Sequence, residues 1–265
     1  MTRVLEELQK QKLRRMEGRV ILITGGGGGI ARGIARAFAG EGAKLILTDL
    51  FPEGMEKTKK EVERDFDCEV VAIVADGSKE EEVIRVIEEG VAHFGRLDGV
   101  INNAQASASG KLLVEHSTKD FDKAVYSGLY GTFYYMKYAF PYLCETKGSV
   151  VNFASGAGLT GKVGQSSYAA AKEGIRGLTR VAATEWGAYG INVNVVCPLV
   201  LTDALIHWKE ENPEIFARTL EAIPLGKYGD AENDIGKICV FLCSFDASYM
   251  SGETIHVQGG SGLRP

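Results

Sequence analysis

Several features that would assign the chain to a large class of proteins are missing from its 265 residues. No apolar run approaches the roughly 18 residues that a membrane span needs. Residues 1–18 are charged throughout and lack the apolar core of a signal peptide. The formal net charge is −5, so the chain has no excess of basic residues to neutralise phosphates. We therefore expect neither a membrane nor a nucleic-acid partner.

Cysteine and histidine are too sparse and too widely spaced to indicate a metal centre. The five cysteines include no Cys-x-x-Cys pair, and the four histidines do not cluster with them. Cys239 and Cys243 lie one helical turn apart, but they belong to an apolar run, which favours buried thiols over metal ligands. Because reduced thiols are typical of the cytosol, we expect a cytoplasmic protein without bound metal.

The sequence does contain a regular alternation of apolar, β-branched runs with longer helical patterns. The runs are continuously apolar, which is typical of strands that are covered on both faces of a parallel sheet. Strands are predicted at residues 19–24, 43–49, 69–75, 97–102, 148–154, 191–197 and 254–257. Helices are predicted at residues 30–41, 53–66, 79–94, 118–145, 166–188 and 231–244. This order predicts the α/β class, as a single doubly wound Rossmann domain with a parallel sheet of about seven strands.

Two segments depart from that rhythm. Residues 1–17 are predicted to form an N-terminal helical extension, because Val4, Leu5 and Leu8 have the spacing of an amphipathic stripe. Residues 18–265 form the predicted Rossmann-type domain. Within it, residues 199–228 are an insertion with two short predicted helices, placed as a lid over the site. Its apolar residues are expected to pack in the core and in part to form a substrate pocket, with His207 and Trp208 as candidate wall residues.

A glycine-rich turn joins the first predicted strand to the first predicted helix. Glycines there let the backbone approach a pyrophosphate at a helix N-terminus. Two registers fit the run of five glycines: G-x-G-x-x-A, with Gly26, Gly28 and Ala31, and T-G-x-x-x-G-x-A, with Gly25 and Gly29. Both registers predict a dinucleotide site.

Asp49 ends the second predicted strand, where an acid accepts hydrogen bonds from ribose hydroxyls and repels a 2′-phosphate. No Lys or Arg follows directly to receive such a phosphate. We therefore expect NAD in preference to NADP. Asp76 and Gly77 end the third predicted strand in the same way and are expected to border the adenine.

Tyr168 and Lys172 stand four residues apart near the start of a predicted helix, and therefore on one face. A nearby ammonium and an oxidised nicotinamide both favour phenolate, so we expect the pKa of Tyr168 to fall from about 10. Ser155 follows a predicted strand at the carboxyl edge of the sheet, where its hydroxyl can hold a substrate oxygen. These residues are the predicted catalytic group, with Tyr168 as the general acid or base.

Taken together, the ordered motifs resemble the short-chain dehydrogenase/reductase family over about residues 18–260. They are Thr24-Gly25-x-x-x-Gly29-Ile30-Ala31, Asp49, Asp76, Asn102-Asn103-Ala104, Ser155, Tyr168-x-x-x-Lys172, Asn194 with Pro198, and Val257-Gln258-Gly259-Gly260. The resemblance implies hydride transfer between a nicotinamide and an alcohol or ketone, and it implies that Lys172 also holds the nicotinamide ribose. The expected cofactor-binding residues are Gly25, Gly28, Gly29, Ile30, Asp49, Leu50, Asp76, Gly77, Asn103, Ala104, Tyr168, Lys172, Pro198, Val200 and Thr202.

The sequence departs from the family pattern in ways that bear on the site. Gln105 stands where glycine usually follows Asn-Asn-Ala, and its side chain is expected to narrow the site or touch the substrate. Gly128 replaces the family's active-site Asn, whose main-chain carbonyl the family uses to hold a relay water. We expect that relay to survive, with a water or Ser127 in the vacated space. Ala31 replaces a glycine, and Pro198 lacks the glycine that usually follows it, a change next to the expected contact of Thr202 with the cofactor.

The apolar lid favours a small hydrophobic alcohol or ketone. A hydroxysteroid ranks first, and a bile-acid-like or polyketide-like carbonyl also fits. Aromatic residues surround the predicted helix at 118–145. Members of the family commonly form tetramers through this helix and the next, so the resemblance predicts a homotetramer. Three alternatives remain: an NAD-using epimerase or dehydratase on the same fold, a non-catalytic NAD-binding regulator, and an NADP enzyme.

Overall fold

A seven-stranded parallel sheet forms the centre of the computed structural model, which describes residues 14–262. Its strand order is β3-β2-β1-β4-β5-β6-β7, so the direction of winding changes between β1 and β4. The predicted stripe of Val4, Leu5 and Leu8 lies outside the described residues. The strands are β1 (Val20–Thr24), β2 (Lys44–Asp49), β3 (Val70–Val74), β4 (Gly99–Asn102), β5 (Ser149–Phe153), β6 (Asn192–Pro198) and β7 (Thr254–Val257). The predicted α/β fold and its strand number are confirmed.

Helices cover both faces of the sheet. They are α1 (Gly29–Gly40), α2 (Pro52–Asp65), α3 (Glu80–Phe94), α4 (Thr118–Ala124), α5 (Gly131–Thr146), α6 (Gly156–Thr160), α7 (Ser166–Trp186), α8 (Asp203–Glu211), α9 (Pro213–Glu221) and α10 (Lys237–Cys243). Two π-helical segments (Val125–Tyr130 and Ala231–Gly236) and three 3₁₀ turns (Leu113–Glu115, Gly187–Tyr189 and Phe245–Ala247) complete the set. Within residues 14–262 no helix is both long enough and apolar enough to cross a membrane.

The continuous apolar runs of the strands follow from a core on each side of the sheet. In β1, Ile21 and Ile23 join the cluster that contains Phe38 of α1, while Val20 and Leu22 join the cluster on the opposite face. Alternate side chains of one strand point to opposite faces, so a strand buried on both sides needs an apolar residue at every position.

The predicted helix at residues 118–145 is interrupted. Its first part, α4, ends at Ala124, and a π-helical segment precedes α5. The Gly131 N–H lies within hydrogen-bonding distance of the Tyr126 carbonyl, five residues earlier, which is the π-helical spacing. The segment contains Gly128 and widens the helix beside the loop that follows β4. The predicted helical span is confirmed, but its pitch changes at residues 125–130, which hydrophobic period alone does not report.

Two further segments lie near this edge of the sheet. The residues after Ser155 form the single-turn helix α6, with Ser155 as its N-cap. The lid insertion has its two predicted short helices, α8 and α9. The Gly229 N–H donates to the Leu199 carbonyl and the Leu201 N–H donates to the Gly229 carbonyl, which closes the base of the lid, and Phe216 packs inward.

Candidate active site

The glycine-rich turn closes the carboxyl end of β1 against the end of β4. Gly25 has a φ of +71° and Gly29 a φ of +53°, both in the left-handed region that favours glycine. A Cβ on Gly25 would lie 3.0 Å from Asn103 Nδ2, whereas Gly28 and Gly29 border open space. The left-handed positions are those of the T-G-x-x-x-G register, and the open space beside them fits a pyrophosphate at the start of α1.

The ends of β1 and β4 are joined by hydrogen bonds from two side chains. The Thr24 hydroxyl oxygen accepts the N–H groups of Asn103 at 3.1 Å and Ala104 at 3.0 Å. Asn103 in turn donates from its side chain to the Thr24 carbonyl at 3.2 Å. These bonds fix the two strand ends at the place where the winding direction changes, which is where doubly wound sheets bind ligands.

Asp49 is held by the glycine-rich turn. Its carboxylate accepts the N–H of Gly27 at 2.8 Å and the N–H of Phe51 at 3.0 Å. A Cβ on Gly27 would lie 2.8 Å from Asp49 Oδ2, so this approach requires glycine. The carboxylate is therefore positioned before any ligand arrives, with lone pairs to spare for a hydroxyl donor.

A cleft of about 710 Å³ runs along this edge of the sheet. Nine of the predicted cofactor-binding residues line it: Gly25, Gly28, Gly29, Asp49, Leu50, Asp76, Gly77, Asn103 and Ala104. The predicted residues Ile30, Tyr168, Lys172, Pro198, Val200 and Thr202 do not belong to its lining. Phe51, Ser78 and Tyr135 also line it and were not predicted. Phe51 and Ser78 lie just beyond strand ends, a position that identifies them, whereas Tyr135 lies within α5 and carried no such signal.

Ser155 and Tyr168 come together at the carboxyl end of β5. The Ser155 hydroxyl oxygen accepts the Ala157 N–H at 3.1 Å, as the N-cap of α6. Burial raises the pKa of Tyr168, and the hydrogen bond with the Ser155 hydroxyl partly offsets that rise by favouring phenolate. The sequence predicted a lowered pKa. The desolvation of the phenol outweighs its favourable contact with Ser155.

Lys172 is buried one helical turn after Tyr168. Its Nζ donates to the Phe153 carbonyl at 2.7 Å and lies 5.5 Å from the centroid of the Tyr168 ring. Burial lowers the pKa of Lys172 to about 7, because an ammonium is poorly solvated there. Its hydrogen bond to the Phe153 carbonyl joins α7 to the end of β5, two residues before Ser155.

Comparisons with known proteins agree with this geometry. A family profile described as Enoyl-(Acyl carrier protein) reductase matches residues 25–262. The 12alpha-hydroxysteroid dehydrogenase of a Clostridium species is 52% identical over 255 residues, which cover 94% of this chain and 98% of that protein. The levodione reductase of Leifsonia aquatica is 38% identical over 93% of this chain and 95% of its own. The chain belongs to the short-chain dehydrogenase/reductase family.

Solved structures give the same result. The crystal structure of a levodione reductase superimposes with a TM-score of 0.88 at 37% identity, covering 93% of this chain and 98% of that one. The structure of an NAD⁺-bound xylitol dehydrogenase superimposes with a TM-score of 0.86 at 28% identity, covering 94% and 100%. This short-chain dehydrogenase/reductase is an oxidoreductase that uses a nicotinamide cofactor to interconvert a secondary alcohol and a ketone.

The two main departures of this family member from the usual pattern meet in space. A Cβ on Gly128 would lie 2.6 Å from Gln105 Cδ, so the Gln105 carboxamide occupies the room of the absent side chain. Ser127 instead holds the neighbouring loop: its hydroxyl lies 3.0 Å from the Ala106 N and 3.1 Å from the Ala106 carbonyl oxygen. The expectation that a water or Ser127 fills the space beside Gly128 was wrong, because the Gln105 side chain occupies that space.

The predicted lid residues take up different positions. The Thr202 hydroxyl oxygen accepts the Leu205 N–H at 3.2 Å and caps α8. The His207 side chain is 77% exposed, with Nδ1 3.5 Å from a Glu210 carboxylate oxygen. Trp208 is half-buried. In this conformation Thr202 has a structural role, and solvent surrounds His207.

Proposed function

We propose that this protein is an NAD-dependent hydroxysteroid dehydrogenase in which Ser155, Tyr168 and Lys172 carry the chemistry. The observation that supports it best is the junction of Ser155 with Tyr168 at the end of β5, one helical turn from the buried Lys172. The alignment with the relative named 12alpha-hydroxysteroid dehydrogenase covers nearly all of both chains, and the name of that relative suggests the 12α-hydroxyl as the reacting group.

When bound, the nicotinamide ring supplies hydride transfer at the carbinol carbon. During alcohol oxidation the substrate hydroxyl gives its proton to the Tyr168 oxygen, and during ketone reduction that oxygen returns it. The Ser155 hydroxyl donates a hydrogen bond to the substrate oxygen and stabilises the charge that develops there. Lys172, protonated, favours the phenolate form of Tyr168 and is the residue expected to hold the cofactor ribose.

The choice of NAD over NADP rests on Asp49. Its carboxylate is held in the cleft by two backbone N–H groups, as described above. The residues that follow are Leu50, Phe51 and Pro52, which carry no positive charge. A ribose with free hydroxyls can donate to the carboxylate, whereas a 2′-phosphate is repelled by it.

Exposed apolar side chains near the start of α7 support a hydrophobic substrate. A second cavity of about 340 Å³ is lined by the loop after β4 and by the residues that lead into α7. Leu113 and Val163 there are 71% and 80% exposed. Apolar surface that remains in water beside a catalytic helix is suited to the ring system of a steroid.

The test is oxidation of a steroid with a 12α-hydroxyl by the purified protein, followed by absorbance of the reduced nicotinamide. Matched controls are the 12β-epimer and steroids with a single 3α- or 7α-hydroxyl, each assayed with NAD and with NADP. Turnover of the 12α-alcohol with NAD is expected. Equal rates for all hydroxyl positions would contradict the proposed 12α-hydroxysteroid substrate, and faster turnover with NADP than with NAD would contradict the proposed cofactor.

The same assay separates the alternative functions. An epimerase or dehydratase converts substrate without net NADH, and a non-catalytic regulator binds NAD without turnover. The Tyr168→Phe variant is expected to bind NAD as the wild type does and to lose at least about 100-fold in kcat, the contribution of general acid–base catalysis. Wild-type turnover in this variant would rule out the proposed role of Tyr168.

We also propose a homotetramer. The ring centroids of Tyr126 and Tyr130 lie 4.9 Å apart, and both residues, with Phe133, keep at least about a third of their surface exposed. Such an aromatic patch on an outer helix is suited to contact with another subunit. Analytical ultracentrifugation is expected to show four chains per particle, and a monomer at micromolar concentration would contradict this proposal.

A further inference from the structure

The segment that leads from β4 to α4 is hydrogen-bonded to the residues that lead into α7. We call its residues 106–117 the strap. In the middle of the strap, the Gly110 N–H donates to the Gly164 carbonyl at 2.8 Å, and the Ser109 hydroxyl donates to Gln165 Oε1 at 3.3 Å. Both acceptors lie directly before the first residue of α7. The strap is therefore attached to the start of that helix.

His116 joins the end of the strap to the first turn of α7. Its Nδ1 lies 3.2 Å from the Leu112 carbonyl oxygen and 3.1 Å from the Ser166 hydroxyl oxygen, and its Nε2 lies 3.3 Å from the Ser167 hydroxyl oxygen. A carbonyl oxygen can only accept, so in the neutral imidazole Nδ1 carries the hydrogen and the Ser167 hydroxyl donates to Nε2. One imidazole ring thus bonds to the strap and to the helix at the same time.

The end of α7 that His116 reaches is the end that carries Tyr168. Ser167 directly precedes Tyr168 and is buried, so its hydroxyl has a fixed position. Gln165, the N-cap of α7, makes no side-chain capping bond to this helix within residues 14–262. The side-chain bonds at the start of α7 therefore come from the strap, which relates the position of the strap to that of the tyrosine.

The strap and the start of α7 form two walls of the cavity of about 340 Å³. Leu112 and Leu113 of the strap line one wall, and Ser166 and Ala169 of α7 line the other. Both strap leucines are exposed, and Ala169 is the residue after the catalytic tyrosine. Because His116 bonds to Leu112 and to Ser166, it fixes the separation of the two walls.

We propose that the strap binds the part of the substrate that is remote from the reacting hydroxyl, and that His116 is the positioning residue that holds this wall against α7. A bulky apolar substrate with its hydroxyl at Tyr168 extends past Ala169 and covers the strap leucines. A small alcohol has no atoms there. The inference rests on the proposed function, because it takes Tyr168 as the residue at the reacting hydroxyl. His116 then affects which size of substrate binds and leaves the chemical step unchanged.

The decisive variant is His116→Leu, which removes the hydrogen bonds and keeps an apolar side chain in the place of the ring. We expect KM for the 12α-hydroxysteroid to rise at least about fivefold, the low end for the loss of two hydrogen bonds. Both kcat and KM for NAD should stay within about twofold. A fall in kcat with an unchanged steroid KM would show that His116 acts on Tyr168 alone, and would overturn the proposal.

A comparison of substrate sizes separates the wall from the catalytic helix. The small substrate is the smallest alcohol among cyclohexanol and the decalols that the wild type oxidises. His116→Leu should leave kcat/KM for this alcohol within about twofold. Equal losses for the steroid and the small alcohol would contradict a role in substrate size. If the wild type oxidises no steroid, the proposed substrate fails, and the largest and smallest alcohols that it does oxidise take the two places in this test.

A double-mutant cycle tests the bond between the strap and the helix. Ser167→Ala removes the hydroxyl that donates to His116 Nε2, so adding it to His116→Leu should raise the steroid KM no further. Independent, additive effects would show that the two side chains do not act through one bond. His93→Leu is the matched control, because His93 bonds to Glu69 at the amino end of β3. It should change neither KM.

The strap wall itself is tested by Leu113→Asp, which places a charge on exposed apolar surface of the cavity. The steroid KM should rise at least about tenfold, since burial of a leucine side chain against the substrate is lost. The small alcohol should react as it does with the wild type. An unchanged steroid KM in this variant would show that the substrate does not reach the strap, and would refute the inference.

Discussion

Replacing Asp49 with asparagine tests how the protein distinguishes NAD from NADP. The wild-type carboxylate is held by N–H groups of Gly27 and Phe51 at 2.8 and 3.0 Å, so it stays in place when a dinucleotide binds. A 2′-phosphate about 4 Å away is repelled by about 1 kcal/mol in water and about 4 kcal/mol at an effective dielectric constant of about 20. Since the cleft is open to solvent, we take about 1–2 kcal/mol, which is about 5- to 30-fold in kcat/KM.

The substitution is also expected to lower kcat/KM for NAD. The asparagine side chain has one acceptor oxygen, so it can accept only some of the hydrogen bonds that the two carboxylate oxygens accept. The loss of one hydrogen bond costs about 0.5–1.5 kcal/mol, or about 2- to 12-fold in kcat/KM for NAD. The variant is therefore expected to use NADP about 5- to 30-fold better than the wild type and NAD somewhat worse.

The assay is the initial rate with each dinucleotide at saturating alcohol. Asp76→Asn is the matched control, because this acid also lines the cleft but is expected at the adenine and not at the ribose. It should leave the ratio of the two kcat/KM values within about twofold of the wild type. If Asp49→Asn leaves the ratio equally unchanged, the carboxylate does not select the cofactor, and the reasoning from charge is wrong.

Three further predictions concern stability and reactivity. Gly33→Ala should lower the free energy of unfolding by about 1–3 kcal/mol in urea, because a Cβ there collides with the backbone of the π-helical segment before α10. Gly177→Ala is the control, because residue 177 is exposed on a helix and borders open space. It should raise the free energy of unfolding by about 0.5–1 kcal/mol. Between about pH 7 and 10.5 the lysine at position 172 binds a proton in the unfolded state but not in the folded state, where burial lowers its pKa. The free energy of unfolding should therefore rise with pH relative to that of Lys172→Met, by at most about 1.4 kcal/mol per pH unit. If the free energies of unfolding of the two proteins change in parallel with pH, the pKa of Lys172 is not lowered. Iodoacetamide should modify the half-buried Cys144 before Cys239, whose pKa burial raises, and equal labelling rates in the folded protein would contradict this.

The strands were predictable because burial on both faces leaves a direct record in the sequence. Residues 254–257 were predicted with the bounds that the structure has, and the other six strands differ by at most two residues at either end. The glycine-rich turn and Asp49 were also readable, because a strand end followed by glycines allows few local conformations. The π-helical segment at residues 125–130 could not be predicted, since the hydrophobic pattern of a helix continues unchanged through such a segment.

Sequence alone determined the α/β class and the order of the strands and helices along the chain, and it was enough to propose Ser155, Tyr168 and Lys172 as the catalytic group. Each of these depends on neighbours in the chain or on spacing within one element. Only the tertiary structure decided that burial raises the pKa of Tyr168, and that the Gln105 carboxamide fills the space beside Gly128. Both depend on atoms that the fold brings together from distant parts of the chain. In a close-packed interior only one group can occupy a given volume.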